Sequence, residues 1–274
     1  MRPSRRDIAI PPIPPGIEWV GGKGPNLARV AAQGPLLVHF FDFAQLNSVR
    51  AMPYVVAWSD RYGEHGLTTL GVHTPRFAFT APAAAVEASL PGLGIEWPVA
   101  IDSDRRMWRD YGSEGWPSLF LWSRGGALRW YHLGEGDYQE TEAAIVEALE
   151  EAEVEADWLE PLEPLRPTDA PGAAVIAPTP ELFPGGSPQR PWEPSAEQPG
   201  LSVPYEGGGA YLAAAGEGEV ALWVDGERRD PIAIPEPGLY ELVVDAEHRR
   251  RVLELEPSAG IEVHSIQFSP APAP

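Results

Sequence analysis

An α/β layer domain with a central mixed sheet, followed by a separate all-β domain, is the fold class the sequence predicts. Three observations carry it. Short apolar runs alternate with helical periodicity from about residue 36 to residue 157. Twelve of the 32 prolines then crowd between Pro161 and Pro204, and short strand patterns without a helix fill the rest. At 274 residues the chain has room for two units that each bury a core without covalent staples.

Residues 1–16 hold five prolines and little periodicity, which reads as an extended arm, with structure beginning near Trp19. Residues 36–43 are almost continuously apolar, as expected of a strand covered on both faces. A helix follows from about Gln45 to Tyr62, with Leu46, Val49 and Met52 at three-residue spacing and Pro53 as a kink. Residues 67–73 read as a second buried strand. Strand, helix and strand make a βαβ unit, because parallel pairing needs a crossover. A helix at 82–90, a strand at 97–101, a short helix at 104–111 and a hairpin of 118–122 with 127–132 around Arg124-Gly-Gly126 continue the alternation. Tyr138 to Asp157 closes the domain as a helix, with Ile145, Val146, Leu149 and Val154 inward and glutamates outward.

The expected boundaries are an α/β domain over 17–158, a proline-rich linker over 159–200 pinned along a surface, and a small β-sandwich over 201–274. Strands are expected at 210–214, 219–224, 232–234, 239–245, 251–256 and 261–268. Asp225-Gly226 and residues 247–249 supply hairpin turns, the latter decorated by Arg249, Arg250 and Arg251.

The absence of cysteine excludes disulfides, thiolate metal sites, iron–sulfur clusters and thiol nucleophiles. The net charge of −20 is uneven: residues 1–135 carry 13 basic and 12 acidic side chains, whereas residues 136–168 carry one and 11. Such a balance argues against nucleic acid as a partner. The acidic helix beyond residue 137 is either a solvated face or a docking surface for a basic partner. No apolar run reaches the roughly 18 residues of a membrane span, and the first residues lead into prolines instead of a leader's apolar core. The expectation is a soluble, cytoplasmic protein without a membrane partner. Histidines 39, 65, 73, 132, 248 and 264 show no i,i+4 pairing. His73 with Asp42 and Asp102 is the one conceivable ligand set, and neither a metal nor a cofactor is expected.

The segment His39-Phe-Phe-Asp-Phe-Ala-Gln-Leu-Asn-Ser-Val-Arg-Ala-Met-Pro-Tyr54 resembles the active-site region of thioredoxin-like proteins of the TlpA/ResA/DipZ type. There a strand ends in an aromatic pair and runs into C-x-x-C on a helix that continues through Arg and Pro-Tyr. Four further blocks are similar to the DipZ subgroup in the same order: Leu70-Gly-Val-His-Thr-Pro-Arg-Phe-Ala-Phe79, Trp97-Pro-Val-Ala-Ile-Asp102, Tyr111-Gly-Ser-Glu-Gly-Trp-Pro117 and His132-Leu-Gly-Glu-Gly-Asp-Tyr138. The resemblance covers roughly residues 17–150 and implies a thioredoxin-like fold. Arg76 and Thr80 depart from it, since the subgroup usually has acids there.

The resemblance places the two cysteine positions on Gln45 and Ser48 and the family's cis-proline on Pro117. Its family label would be thiol-disulfide oxidoreductase, but a carboxamide cannot ionise and a serine hydroxyl has no comparable redox couple. His39 falls where relatives keep a buried polar group, so it is expected to face Ser48. It then either fills space as a neutral ring or forms a Ser–His pair, the minimum for nucleophilic catalysis, although no G-x-S-x-G accompanies it. Thr179-Pro-Glu-Leu-Phe183 and the β-rich region after it are similar to a jelly-roll, carbohydrate-binding-module-like unit of DipZ-type proteins. Trp192, Tyr205, Tyr211, Trp223 and Tyr240 then either stack on sugars or sit in the core, and Gly207-Gly-Gly209 suggests a shortened module.

The function expected is a redox-inactive binding or scaffold protein without catalytic residues. It would hold a protein or peptide in the former active-site groove of Phe43, Gln45, Leu46, Asn47, Ser48, His39, His73 and Pro117. The alternatives are carbohydrate binding through the sandwich and a hydrolase using Ser48 and His39.

Overall fold

The computed structural model describes residues 1–3 and 8–273. The chain divides into two compact units, Met1–Pro75 with Ala81–Glu163, and Arg76–Thr80 with Pro164–Pro274.

In the first unit, strands β1 (Glu18–Val20), β2 (Leu36–Phe41), β3 (Thr68–His73), β4 (Val99–Ile101), β5 (Ser118–Trp122) and β6 (Leu128–Leu133) form one sheet in the order β1-β4-β3-β2-β5-β6. Strands β2, β3 and β4 run parallel, and β1, β5 and β6 pair antiparallel. Helices α1 (Leu27–Gln33), α2 (Leu46–Tyr62), α3 (Ala83–Leu93), α4 (Arg106–Tyr111) and α5 (Tyr138–Glu151) complete it. The unbroken apolar run of β2 has a simple cause. Leu36, Val38 and Phe40 pack with Leu70, Val72, Met107, Tyr111 and Phe120 on one face, while Leu37, His39 and Phe41 are buried on the other.

Strand β2 stops at Phe41, because the Asp42 carboxylate accepts the Ala44 N–H at 2.8 Å and turns the chain. Helix α2 continues through Pro53 to Tyr62. Helix α5 ends at Glu151, six residues before the expected stop. Glu153 there takes φ 64 without a glycine to announce it, and Val154 is only half-buried. One α5 glutamate does not face water: Glu142 is buried, accepting from Tyr62 Oη at 2.7 Å and Arg61 at 3.0 Å. Helix α1 and strand β1 have no counterpart in the sequence reading. Both are short, and α1 buries only Ala31, so neither leaves a periodic signal. Two described residues of the arm meet β6, the Leu128 N–H donating to Ile8 O at 3.0 Å and the Tyr131 N–H to Met1 O at 2.9 Å.

In the second unit, β8 (Leu201–Ala215), β9 (Gly218–Val224), β10 (Glu227–Arg228), β11 (Ile232–Ile234), β12 (Gly238–Pro257) and β13 (Glu262–Ser269) form an antiparallel sheet in the order β10-β9-β12-β8-β13, with β11 on β9. A small ribbon pairs β7 (Val175–Ile176) with β14 (Ala271–Pro272). Asp225 and Gly226, at φ 54 and 79, make the β9–β10 hairpin turn.

The turn expected at 247–249 does not exist. The two strands either side of it are one 20-residue strand, β12, whose register slips between Val244 and Arg249 opposite Gly209 and Gly207. Arg251 bridges Asp245 at 2.6 Å and Asp225 at 2.8 Å across this bulge, so the three arginines are strand residues paired to acids instead of turn decoration. The glycine run permits the bend. A Cβ on Gly208 would lie 2.6 Å from Pro270 O, and one on Gly209 2.7 Å from Val243 O. Val203 and Tyr205 before the bend share one core with Leu212 and Ala214 after it and with Val263, Ile266 and Phe268 of β13.

Residues 164–200 belong to this unit. Leu182 bridges Ile266, Trp192 bridges Val263, and Thr179 exchanges hydrogen bonds with Glu206. Residues Arg76–Thr80 pack here too: Phe77 is buried, the Phe79 ring meets His264 at 4.7 Å, and Arg76 pairs with Glu181.

A Gly208→Val variant is expected to lose about 2–4 kcal/mol in the unfolding of the second unit, since backbone atoms line the space its side chain would take. Denaturant titration reads this, and an unchanged midpoint would refute the assigned bend.

Candidate functional site

The strand register assembles the site. Phe41 lies opposite His73 and Phe40 opposite Ser118, so Asp42, Thr74 and Pro117 leave the sheet at one edge. Strand β6 ends there as well, and the Gly134 N–H donates to Pro117 O at 2.7 Å. This is the carboxyl end of the parallel strands, the side on which open α/β sheets take ligands.

Helix α2 starts at this edge, and its first turn is closed from within. Gln45 is the N-cap, and its Oε1 accepts the Ser48 N–H at 2.9 Å. Ser48 Oγ accepts the Asp42 N–H at 3.3 Å, and the Gln45 N–H donates to Asp42 O at 3.1 Å. A helix N-terminus offers N–H groups that a neighbouring thiolate would otherwise exploit. Here a neutral carboxamide takes one of them.

His73 stacks on Phe43 at 5.4 Å between ring centroids and meets Phe41 edge-on at 5.3 Å, with Nε2 3.9 Å from the Asp42 carboxylate. Burial pulls its pKa down to about 4, against the raising effect of Asp42. His39 stacks on Phe41 at 5.4 Å, and burial alone pulls it down to about 3. Both rings are therefore neutral. The expected Ser48–His39 pair is not formed: neither His39 nitrogen has a hydrogen-bond partner among the described residues, and Ser48 Oγ accepts the Asp42 N–H. That arrangement removes the basis of the hydrolase alternative. Nor do His73, Asp42 and Asp102 converge, because the Asp102 oxygens cap α4 by accepting the Met107 N–H at 3.0 Å and the Trp108 N–H at 2.8 Å.

The groove residues are placed together at this edge but are mostly not surface. His39, Phe43, Gln45, Leu46, Ser48, His73 and Pro117 are buried, and only Asn47 is half-buried. These side chains lie mostly below the surface of that edge. They fill the layer beneath it. Sequence reasoning missed the accessible wall, which consists of Gly115 and Trp116 with Trp108 and Arg105 beside them. Trp116 precedes Pro117 through a cis peptide bond, donates Nε1–H to Thr74 O at 2.8 Å and lies 4.4 Å from the Trp108 ring. The Arg-Arg-Met-Trp run at 105–108 was its only trace in the sequence.

Two of the blocks that carry the family resemblance meet at α2. Arg50 pairs with Glu135 at 2.7 Å, both side chains nearly buried, and Tyr54 stacks on Tyr138 at 3.8 Å. In the second unit, Tyr205 belongs to the core, stacked on Phe268 at 4.7 Å. Trp192, Tyr211, Trp223 and Tyr240 are half-buried, Trp223 beneath Arg228 at 5.7 Å.

No family model matches the chain. Protein DipZ of Mycobacterium bovis is 27% identical over 271 residues, covering 85% of this chain and 38% of DipZ, so the similarity runs beyond the first unit. The chain thus spans less than two-fifths of the length of that relative. Thiol-disulfide oxidoreductase YkuV of Bacillus subtilis is 24% identical over 135 residues, 49% of this chain and 90% of YkuV. The solved thiol-disulfide isomerase of Corynebacterium glutamicum aligns with a TM-score of 0.45 at 22% identity, covering 48% of this chain and 90% of that one.

Both buried histidines bind protons more readily unfolded than folded, from an ordinary value of 6.5. Their contribution to stability is therefore full above about pH 6.5 and is lost progressively as pH falls from there to about 4 for His73 and about 3 for His39. A His39→Phe variant is expected to show a flatter profile across that window in denaturant titrations, and an unchanged slope would contradict the neutral ring. Arg50→Ala removes the guanidinium that faces the nearly buried Glu135 carboxylate and is expected to cost about 3 kcal/mol, the low end for breaking a buried pair. The chain is thus similar to DipZ over 85% of its length and contains no cysteine, and Gln45 and Ser48 stand at the two positions that the resemblance assigns to the cysteine pair.

Proposed function

We propose that the chain is a redox-inactive binding module that holds a protein or peptide segment at the edge where Asn47, Gly115 and Trp116 are accessible. One observation carries the first half of this reading. The α2 terminus, which in a thiol enzyme would stabilise a thiolate, is occupied by the Gln45 carboxamide. Thiol–disulfide exchange needs a thiolate to attack sulfur, and this chain offers none. The second half is supported by the ordered wall: Trp116 is tied to Thr74, and Pro117 to Gly134, so an extended segment laid against residues 115–117 meets a preformed surface.

The full chain is expected not to accelerate insulin reduction by dithiothreitol, whereas a Gln45→Cys, Ser48→Cys double variant acquires that activity. Acceleration by the native chain would overturn redox inactivity. Binding to a peptide array should fall about tenfold in Asn47→Trp, roughly 1.4 kcal/mol. Binding indifferent to that change would move the site elsewhere.

A further inference from the structure

We infer that Arg105 selects the partner: the segment bound at this edge is an acidic extended peptide, one of whose carboxylates pairs with the guanidinium held across Trp116. The inference rests on the binding role proposed above and names the chemistry of what is bound.

Four observations converge on it. Arg105 adopts φ 55, a left-handed backbone that is uncommon for a non-glycine residue. Its main chain is held by donation of the Arg105 N–H to Asp102 O at 2.9 Å. The guanidinium lies 5.2 Å from the Trp116 ring centroid and donates Nη2–H to Pro75 O at 3.1 Å. It is therefore fixed at both ends of the side chain, next to the residue that precedes Pro117. A planar cation immobilised before binding loses little entropy when it forks onto a carboxylate.

The second point is its ionic surroundings. Among the described residues no carboxylate forms an ion pair with Arg105, although acidic side chains outnumber basic ones 40 to 20 in the chain. Elsewhere in the first unit Arg50, Arg61 and Arg129 each meet a glutamate. Asp102, whose main-chain carbonyl accepts the Arg105 N–H, is buried, and its carboxylate oxygens accept from Met107, Trp108 and Thr74. Asp104, Asp110 and Glu114 are exposed.

Third, the neighbouring cations behave alike. Arg106 donates to Pro15 O at 3.2 Å and Arg109 to Asp104 O at 2.9 Å, and among the described residues neither forms an ion pair. Fourth, the aromatic floor suits a peptide. Trp116 on Trp108 offers an apolar plane beside the cation, which accommodates the stem of an extended chain while the guanidinium takes its acid.

The test uses fluorescence anisotropy of the full chain with three labelled Gly-Ala decapeptides carrying three aspartates, three asparagines or three lysines. The aspartate peptide is expected to bind at least tenfold more tightly than the others and to weaken between 50 and 300 mM salt. Arg105→Gln should remove at least fivefold of that affinity, Arg105→Lys should keep part of it, and Arg129→Gln should change nothing. Equal binding of all three peptides that Asn47→Trp still abolishes would overturn the acidic preference and leave the binding edge standing. Binding untouched by both Arg105→Gln and Asn47→Trp, or none by any peptide, would overturn the edge itself. Displacement of the aspartate peptide by an oligothymidylate at equal concentration would assign the wall to polyanions in general and overturn the peptide reading.

Discussion

The first N–H groups of α2 must find acceptors at the point where the chain leaves β2, and the rest of the first unit is arranged around that requirement. The Gln45 carboxamide oxygen accepts the Ser48 N–H of that first turn, while Asp42 O and Ser48 Oγ accept the Gln45 and Asp42 N–H groups of the connection leading into it. Once the turn is closed in this way, Ser48 faces inward, His73 settles over Phe43, and the Arg50–Glu135 pair anchors the second turn of the helix. A helix end that is satisfied internally needs no anion beside it. The terminus thus changes from a reagent into a structural joint, while its neighbours keep their places.

Much of this was legible in the residues. The unbroken run over 36–41 announced a strand buried on both faces, and the spacing of Leu46, Val49 and Met52 announced α2 almost to the residue. What was not legible has physical reasons. Strand β1 pairs over three residues, too few to show alternation, and α5 stops where a glutamate enters the left-handed region without any residue that favours it. In the second unit, Glu247-His-Arg249 looks like a turn because it is polar, yet the partner strand supplies the flexibility through glycines. The break in periodicity was real; its cause lay on the other strand.

The site shows the same division. The positions named by resemblance do lie together, but their side chains are mostly interior, since a sequence pattern tells which residues occur and not which atoms reach water. His39 is the sharpest instance. Alternation along β2 puts it on the Phe41 face, where it stacks and remains without a polar partner, and no spacing rule distinguishes that from a ring aimed at Ser48. Arg105 and Trp108 were invisible for the opposite reason. Their importance comes from a backbone angle and a ring contact, neither of which leaves a motif.

The segment laid against β6 has a consequence for the chain's behaviour in concentrated solution. An outer strand with bare amides is a template on which another molecule can crystallise its own backbone. With Ile8 and Met1 already taking two amides of that border, and with a surplus of like charge repelling copies from one another, this side of the fold resists sheet-by-sheet growth. Whatever approaches the molecule there meets a rim that has already been hemmed.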